Sequence, residues 1–463
     1  MEREQEYPGP EGMTLLGMAP ERGRWALIAL GLAINLALGS IYAWSVFLGP
    51  LAAHFAALGE PVGPEGALLP FSLFLVSFAV AMPLSGGYID RWGPRRMGVL
   101  GGILTGLGWL LASFAPTPLA LALAFGVIGG TGVGVAYGVP LTLAARWFPD
   151  RRGTALGLTL LGFGISALVT GILAAALLGR YGLVATFRIF GAVFLFLIPL
   201  LALPLALPPA GWRPEGWDPA PAGGGAAPAG GCTRGEMVRT PAFYGLWVCF
   251  FLACAAGLMA VSIALPVGTE AVGLESGMAT LLVGIFAIFN GGGRPIFGAL
   301  TDRLNPRNTA MLSFGLITLG SLLVWRAPTP PVYILAFALL WGSQGAWPAI
   351  APTSTAAFFG TRDYPRCYGV VYLAYGAGAL AGPMLAGSIR TATGSYLGVF
   401  PWVAALAVSG IVIAYWLMRP PENPAGRQTG DTWGISFGPG RSGVNRRLRF
   451  ASLWIFGIFT KPP

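Results

Sequence analysis

The sequence GGYIDRWGPRR at residues 86–96 returns in altered form as GALTDRLNPRN at residues 298–308. Asp90 and Asp302 occupy the same place in the two stretches and are 212 positions apart. The same offset pairs glycines later in each half: Gly157 with Gly369 and Gly164 with Gly376. An internal repeat of this length predicts that the chain is built from two similar halves.

Twelve apolar runs lie along the chain, and each is long enough to cross a hydrocarbon core of about 30 Å as a helix. The runs, numbered 1 to 12, occupy residues 25–48, 67–87, 97–115, 119–144, 154–178, 186–207, 242–267, 278–300, 309–325, 331–353, 368–388 and 396–418. Charged residues make up 10% of the chain, against roughly a quarter in a soluble domain. The sequence therefore predicts an all-α membrane protein with six transmembrane helices in each half, surrounded by a lipid bilayer.

The arginines are concentrated in one set of loops between the runs. The positive-inside rule then places both termini in the cytoplasm and predicts a multi-pass protein of a prokaryotic inner membrane. The predicted segments are a cytoplasmic tail (1–24), a first half (25–207), a flexible Pro- and Gly-rich linker (208–240), a second half (241–418) and a cytoplasmic tail (419–463). The tail ends in a short apolar stretch that lies on the membrane surface or is disordered.

Several function classes are excluded by the sequence. The net charge of +10 is spread in short clusters between apolar runs, which argues against a nucleic-acid partner. The four cysteines form no C-x-x-C pair, no H-E-x-x-H motif is present, and the single lysine is followed by proline rather than by the Ser or Thr of a P-loop. We therefore expect no metal, no cofactor, no ATP hydrolysis and no enzymatic activity.

Arg294 stands inside run 8, in the stretch IFNGGGRPIFG at residues 288–298. It precedes Asp302, at the end of the run, by eight residues, or about 12 Å of helix. An arginine near the bilayer centre costs at least about 2.5–3.5 kcal/mol. Every acidic residue lies in a tail, a loop or at a helix end. The pattern favours an anionic ligand, and a guanidinium fork fits a carboxylate well; solvation by backbone carbonyls and water is the alternative.

Four stretches together resemble the oxalate/formate antiporter family of the major facilitator superfamily, which is related to the monocarboxylate (lactate and pyruvate) transporters. They are LGSIYAWSVF (38–47), RWFPDRRGTALG (146–157), NGGGR (290–294) and YGAGALAGP (375–383). The similarity spans about residues 25–418. It implies a twelve-helix secondary transporter of small organic anions that works by alternating access and is expected to be monomeric.

The resemblance also implies a substrate site. The arginine that binds substrate carboxylate in this family corresponds to Arg294, with Asn290 one turn earlier on the same helix face. Aromatic residues that enclose the anion in the family match four positions here: Tyr42, Tyr137, Trp347 and Tyr375. For each aromatic on its own, ordinary packing in a membrane helix or at an interface is the stronger explanation.

Two departures from the family pattern bear on the substrate. Run 11 lacks the lysine that supplies a second cation in the oxalate branch, and Asn290 replaces the aspartate that carries a proton in animal monocarboxylate transporters. One midplane cation favours a monocarboxylate such as lactate, pyruvate or formate. An oxalate/formate-type dicarboxylate exchanger is the alternative, and an anion channel or a non-transporting sensor are alternatives of another class. Coupling to a proton or to a counter-anion stays open.

The repeated D-R motifs predict a gate. In the superfamily, contacts of this motif close the cytoplasmic side while the site faces outward. The residues expected to take part are Asp90, Arg91, Arg95, Asp302 and Arg303. The prediction is weaker for the second motif, because Asn305 stands where the first motif has a glycine. The alternative is that these charges only anchor loops and set the topology.

Overall fold

The structure is a computed structural model that describes residues 14–61, 64–209, 212–217 and 231–420. Nearly all of the predicted C-terminal tail and most of the N-terminal tail therefore lie outside the described residues. The regular elements of the described part are helices, with twelve long ones that we number α1 to α12 in chain order.

The first half contains α1 to α6. Helix α1 covers Pro20–Leu38 and continues through a 3-10 segment, Gly39–Phe47, into the helical Leu48–Ala57. The next three helices are α2 (Pro64–Trp92), α3 (Pro94–Ala112) and α4 (Pro118–Trp147), the last with a π-helical stretch. The helical segment Arg152–Ala202 is broken at Gly182, where φ is 73°, so that α5 is 152–181 and α6 is 183–202.

The second half contains α7 to α12. Helix α7 is Pro241–Ser262 and is followed by short helical turns up to Ala271. The remaining helices share lengths suited to crossing a membrane: α8 (Ser276–Leu304), α9 (Pro306–Arg326), α10 (Pro330–Phe359), α11 (Tyr364–Thr393) and α12 (Tyr396–Leu417).

Ten of these helical segments are long and apolar enough to span a membrane. The segment Arg152–Ala202 has 51 residues and forms two crossings because of the break at Gly182. Helix α3, with 19 residues and two arginines in its first turn, supplies the remaining crossing. The prediction of twelve membrane helices in two halves is thereby confirmed.

The repeated motif forms the same turn in both halves. Gly93, between α2 and α3, has φ 83° and ψ 158°, and Asn305, between α8 and α9, has φ 67° and ψ 161°. Asn305 tolerates this glycine-like backbone and accepts a hydrogen bond from the backbone N–H of Asn308 at 3.1 Å. The glycine missing from the second motif therefore does not alter the turn.

Two parts of the linker pack on the bundle, although the sequence predicts a flexible segment throughout. Trp212 lies edge-on against Trp147, with 4.8 Å between ring centroids. Closer to α7, the backbone N–H of Cys232 donates to the carbonyl of Phe359 at 2.8 Å. A one-turn helix, Arg234–Met237, follows and starts with a complete capping box. Only residues 210–211 and 218–230 of the predicted linker lie outside the described residues.

Arg24, placed by the sequence at the end of the N-terminal tail, is an integral part of the first half. It is 4% exposed and pairs with Asp150 at 2.7 Å and with Glu21 at 2.6 Å. Its guanidinium lies 4.6 Å from the centroid of the Phe148 ring. The start of α1 is therefore fixed to the α4–α5 loop by a buried charge cluster.

We expect the Asp150→Asn variant to be less stable than the parent in a pH-dependent way. Burial alone would raise the pKa of Asp150, but hydrogen bonds from Arg24 and Arg151 outweigh it and lower the pKa. The carboxylate therefore stabilises the fold above its ordinary pKa of about 3.9, and this contribution is lost as the pH falls through the lowered folded-state value. The difference in Tm between parent and variant in detergent should be at least ~2 °C at pH 7.

This difference should shrink as the pH is lowered below about 4. Glu60→Gln is a suitable control, because Glu60 is exposed and forms no ion pair among the described residues. A difference in Tm that stays constant down to pH 3 would show that Asp150 acts by packing rather than by charge.

Candidate functional site

Arg294 lies on α8 at the contact between the two halves and is 4% exposed. Its Nη1 donates to the carbonyl of Leu160 on α5 at 2.8 Å, and its guanidinium carbon lies 5.8 Å from the centroid of the Phe163 ring. The Nε has no hydrogen-bond partner among the described residues, nor does any described carboxylate lie within ion-pair distance. The charge is thus solvated by one carbonyl and one ring face but is not neutralised.

Small residues bring α5 and α8 together around this arginine. A Cβ atom at Gly164 would come within 3.0 Å of the Arg294 Nε, and one at Gly157 would come within 2.5 Å of the Arg294 carbonyl oxygen. Gly291, one turn before Arg294, lies against Ile165. The glycines predicted from the repeat are therefore needed for the two helices to approach closely enough for Arg294 to reach across.

A set of aromatic rings packs around Phe163, whose own ring lies beside the Arg294 guanidinium. The Phe163 ring makes edge contacts with Tyr42 and Tyr137, at centroid distances of 5.4 and 5.1 Å. Tyr137 also contacts Tyr372 of the second half at 5.4 Å. We call the following five residues the aromatic box: Tyr42, Tyr137, Phe163, Tyr372 and Tyr375.

The aromatic box closes between the halves through two hydroxyl groups. The Tyr42 and Tyr375 hydroxyl oxygens are 2.9 Å apart and share a hydrogen bond. The Phe163 ring beside the guanidinium links Arg294 to Tyr42 and Tyr137, and Tyr42 links it to Tyr375. The structure therefore brings three of the four aromatic residues expected from the sequence to the arginine.

The contacts of Trp347 and Asn290 are with residues other than Arg294. Trp347 is fully buried against Phe314 and Phe250, and Phe250 in turn contacts Tyr375, with 6.1 Å between the ring centroids. The side-chain N–H of Asn290 donates to the carbonyl of Trp341 on α10 at 3.2 Å. Asn290 shares the helix with Arg294, but its amide is directed to α10 whereas Arg294 is directed to α5.

Sequence reasoning missed two residues of the box. The Phe163 ring lies directly under the guanidinium. In the sequence, only the glycines on both sides of Phe163 could have indicated a close helix contact at this position. Tyr372 belongs to a series on α11 whose spacing of four, four and three residues puts its members on one helix face: Tyr364, Tyr368, Tyr372 and Tyr375. That spacing could have identified Tyr372.

Asp302 connects the halves at one end of the bundle. Its carboxylate accepts hydrogen bonds from the backbone N–H groups of Gly153 and Thr154 at 2.7 and 2.8 Å, and from the Thr154 hydroxyl at 2.8 Å. An aspartate on α8 thus caps the N-terminus of α5 in the other half, where a negative charge is favoured. We call the end of the bundle at which Asp90 and Asp302 lie the motif end.

Asp90 reaches the second half indirectly, through Arg146 of α4. Arg146 pairs with Asp90 at 2.8 Å and donates to the carbonyls of Thr361 and Arg362 at 3.1 Å. Asp90 and Asp302 occupy equivalent positions, but only Asp302 bonds to the other half itself. The two contacts together close the motif end.

The predicted gate residues Arg91, Arg95 and Arg303 are exposed. Within the described part of the chain they make no hydrogen bond or ion pair. The side chains that join the halves at this end are Arg146, Asp302 and also Arg152, whose Nη1 donates to the carbonyl of Ala356 on α10 at 3.3 Å. The motif end is also closed by backbone packing, since Gly153 lies against the Gly298 carbonyl and Gly86 lies against the Pro365 carbonyl.

Fold and site together define a class of protein. Two similar six-helix halves enclose one buried arginine and an aromatic box at their contact, and the halves are joined at the motif end, as in a membrane carrier with a central binding site. The family model of the Major Facilitator Superfamily matches residues 24–269 and 255–461. The chain belongs to this superfamily of membrane transporters.

Within this superfamily, several relatives are similar to this chain over most of its length. The oxalate:formate antiporter of Oxalobacter formigenes is 28% identical over 84% of this chain and 88% of the relative. Human monocarboxylate transporter 11 is 28% identical over 89% of this chain and 87% of its own length, and rat monocarboxylate transporter 3 is 30% identical over 86% and 80%. The resemblance stated from the sequence motifs is confirmed.

Solved structures show the same fold. The Escherichia coli fucose:proton symporter FucP superposes with a TM-score of 0.65 over 85% of this chain and 98% of that chain, at 15% identity. The proton:xylose symporter XylE gives a TM-score of 0.62 over 85% and 96%, at 13% identity. At this level of identity the likeness concerns the fold alone.

Proposed function

We propose that the protein is a secondary active transporter that carries a small organic anion across the membrane by alternating access. The observation that carries this proposal is Arg294, a buried cation whose Nε lacks a partner and which no described carboxylate neutralises. A substrate carboxylate would supply the missing charge and accept from the guanidinium fork. We assign the chain no catalytic step.

The substrate we propose is a monocarboxylate such as lactate, pyruvate or formate. Arg294 is the cation that lies against the aromatic box, at the Phe163 ring, and one guanidinium balances one carboxylate. The hydroxyls of Tyr42 and Tyr375 can donate to the same anion, while Phe163 limits its size. Asn290 assists by holding α8 against α10 through its bond to the Trp341 carbonyl, and Trp347 supports the box through Phe250.

A dicarboxylate exchanger of the oxalate/formate type is the second candidate. It is favoured by the 28% identity to the oxalate:formate antiporter of Oxalobacter formigenes over most of both chains. Asn290 does not titrate, so in either case a proton would have to travel on the substrate or on another group.

The direction of the protein in the membrane follows from its charges. We propose that the motif end faces the cytoplasm of a prokaryote, because the loops at this end carry most of the arginines. Both termini are then cytoplasmic, and the gate formed by Asp90, Arg146 and Asp302 is the cytoplasmic gate. The two halves of one chain complete the site, so we propose that a monomer is sufficient for transport.

Uptake into proteoliposomes tests these assignments. The purified protein is supplied with labelled lactate or labelled oxalate, with and without an inward proton gradient and with and without internal formate. We expect saturable lactate uptake that the gradient increases and that Arg294→Ala abolishes. Oxalate uptake that requires internal formate and ignores the gradient would instead establish the exchanger.

The same assay separates a carrier from the other classes. A channel would give uptake that does not saturate and that shows no acceleration by substrate on the opposite side. A sensor would bind the anion, as measured by a rise in Tm, without any uptake. Either result would overturn the carrier proposal.

A further inference from the structure

A cavity of about 450 Å³ lies at the motif end, away from the aromatic box, where α2, α11 and the linker helix Arg234–Met237 meet. The residues that determine its chemistry are Leu84, Tyr88, Arg91, Arg234, Asp363 and Arg366. None of them takes part in the site proposed for the transported anion.

The cavity carries an excess of positive charge. Its single carboxylate, Asp363, is 8% exposed and is already bonded to Arg366 at 3.2 Å and to the backbone N–H of Arg234 at 3.0 Å. The guanidinium groups of Arg91 and Arg234 have no hydrogen bond or ion pair among the described residues. Two free guanidinium groups and one that is partly paired favour an anionic occupant with several oxygen atoms.

The wall of the cavity formed by α2 is apolar and outward-facing. Leu84 is 67% exposed and Tyr88 is 44% exposed, and the Trp92 ring, 50% exposed, lies 5.1 Å from the Tyr88 ring. Large apolar side chains exposed on a membrane helix contact lipid, and tryptophan and tyrosine are typical of the interfacial region. The arginines are therefore reached from the edge of the bilayer as well as from water.

We infer that this cavity binds the phosphate headgroup of an anionic membrane lipid. Basic pockets between membrane helices on the arginine-rich side recognise such headgroups, and the apolar wall of α2 fits the beginning of the acyl chains. An inorganic phosphate ion offers the same charge and oxygens but cannot use the apolar wall. The inference concerns a site distinct from that of the proposed function and does not depend on which anion is transported.

The position of the cavity links its occupant to the gate. Arg91 belongs to the first half, whereas Arg366 lies in the first turn of α11 in the second half and packs against Gly87 on α2. A phosphate held by both arginines joins the halves at the motif end. Lipid binding is therefore expected to favour the form that is closed at this end, since a ligand shifts an equilibrium toward the form it binds better.

Native mass spectrometry of the full-length protein in detergent tests this inference. The protein is mixed with equal amounts of phosphatidylglycerol and phosphatidylcholine, and retained lipid is counted. We expect phosphatidylglycerol to be retained preferentially and the Arg91→Gln/Arg234→Gln variant to lose at least about tenfold in retention. The matched control is Arg96→Gln/Arg303→Gln, which removes two exposed arginines of the same end outside the cavity and should leave retention unchanged.

Three results would overturn the inference. Equal retention of the two lipids would exclude recognition of the anionic headgroup, and equal losses in both double variants would mean that general surface charge attracts the lipid. Displacement of the lipid by millimolar inorganic phosphate, with binding of phosphate in its place, would identify the free ion as the occupant. The single variant Arg91→Gln provides a second measurement of lipid retention, because Arg91 is exposed and its replacement leaves Asp363 and its partners intact.

Discussion

Replacing Arg294 by Gln is expected to lower uptake of the transported anion by at least about 100-fold. Hydrogen bonds from a charged group contribute roughly 1.5–3 kcal/mol each, and the variant loses both the fork and the charge. Arg294→Lys keeps the charge but presents a single point donor, so an intermediate loss of about tenfold is expected. The measurement is the concentration dependence of uptake into proteoliposomes, with Arg326→Gln, an exposed arginine at the end of α9, as the matched control.

The stability of the same variant distinguishes a binding role from a structural one. The guanidinium is buried with an unpartnered Nε and no described counter-charge, so removing it relieves a desolvation penalty. In the absence of substrate, Arg294→Gln should therefore melt at the same temperature as the parent or higher. If the variant melts several degrees lower, the bond from Arg294 to the Leu160 carbonyl is a structural brace, and the loss of uptake would have that cause instead.

The repeat explains why so much of the fold could be predicted. The offset that relates Asp90 to Asp302 also relates Gly93 to Asn305, and both of the latter take the same positive-φ conformation. Hydrophobicity alone defines where a helix must lie in a bilayer, because every backbone polar group there has to be bonded within the helix. It does not define helix ends: run 6 was expected to reach residue 207, whereas the helix ends at Ala202.

Contacts between the halves could not be predicted in the same way. The sequence makes Asp90 and Asp302 equivalent, but Arg146 stands beside Asp90 and the corresponding position in the second half is Phe358. The first aspartate therefore uses an arginine to reach the other half, and the second bonds to a helix N-terminus directly. Which side chain fills a gap between helices depends on packing across the interface, and a linear repeat does not contain that information.

The same limit applies to the candidate site. Arg294 could be identified because a charge in an apolar run is costly wherever it points. That the Asn290 amide is directed toward α10 could not be predicted. Residues four positions apart lie on roughly the same helix face, but their side chains can still be directed to different neighbouring helices. Arg24 is a further example: the sequence places it at the end of the predicted N-terminal tail, whereas the structure buries it against Asp150.

Gly153 offers the most direct test of the gate. A Cβ atom at this position would overlap the carbonyl of Gly298 in the other half, so that Gly153→Leu prevents α5 and α8 from meeting at the motif end. Overpacking of this kind costs about 1–3 kcal/mol or more, which shifts the ratio of closed to open forms by roughly 5- to 150-fold. We expect uptake to fall by more than about tenfold, since a carrier that cannot close cannot alternate.

Distances between spin labels show whether the loss of uptake has this cause. The four native cysteines are free and buried, and are first replaced by serine. Labels are then attached at Arg96→Cys and Arg303→Cys, two exposed positions in different halves at the motif end. In Gly153→Leu the distance should be longer than in the parent, whereas Gly179→Leu, on the same helix with open space around its Cβ, should change neither distance nor uptake. An unchanged distance in a folded but inactive Gly153→Leu variant would show that contact between Gly153 and Gly298 is not what closes the motif end.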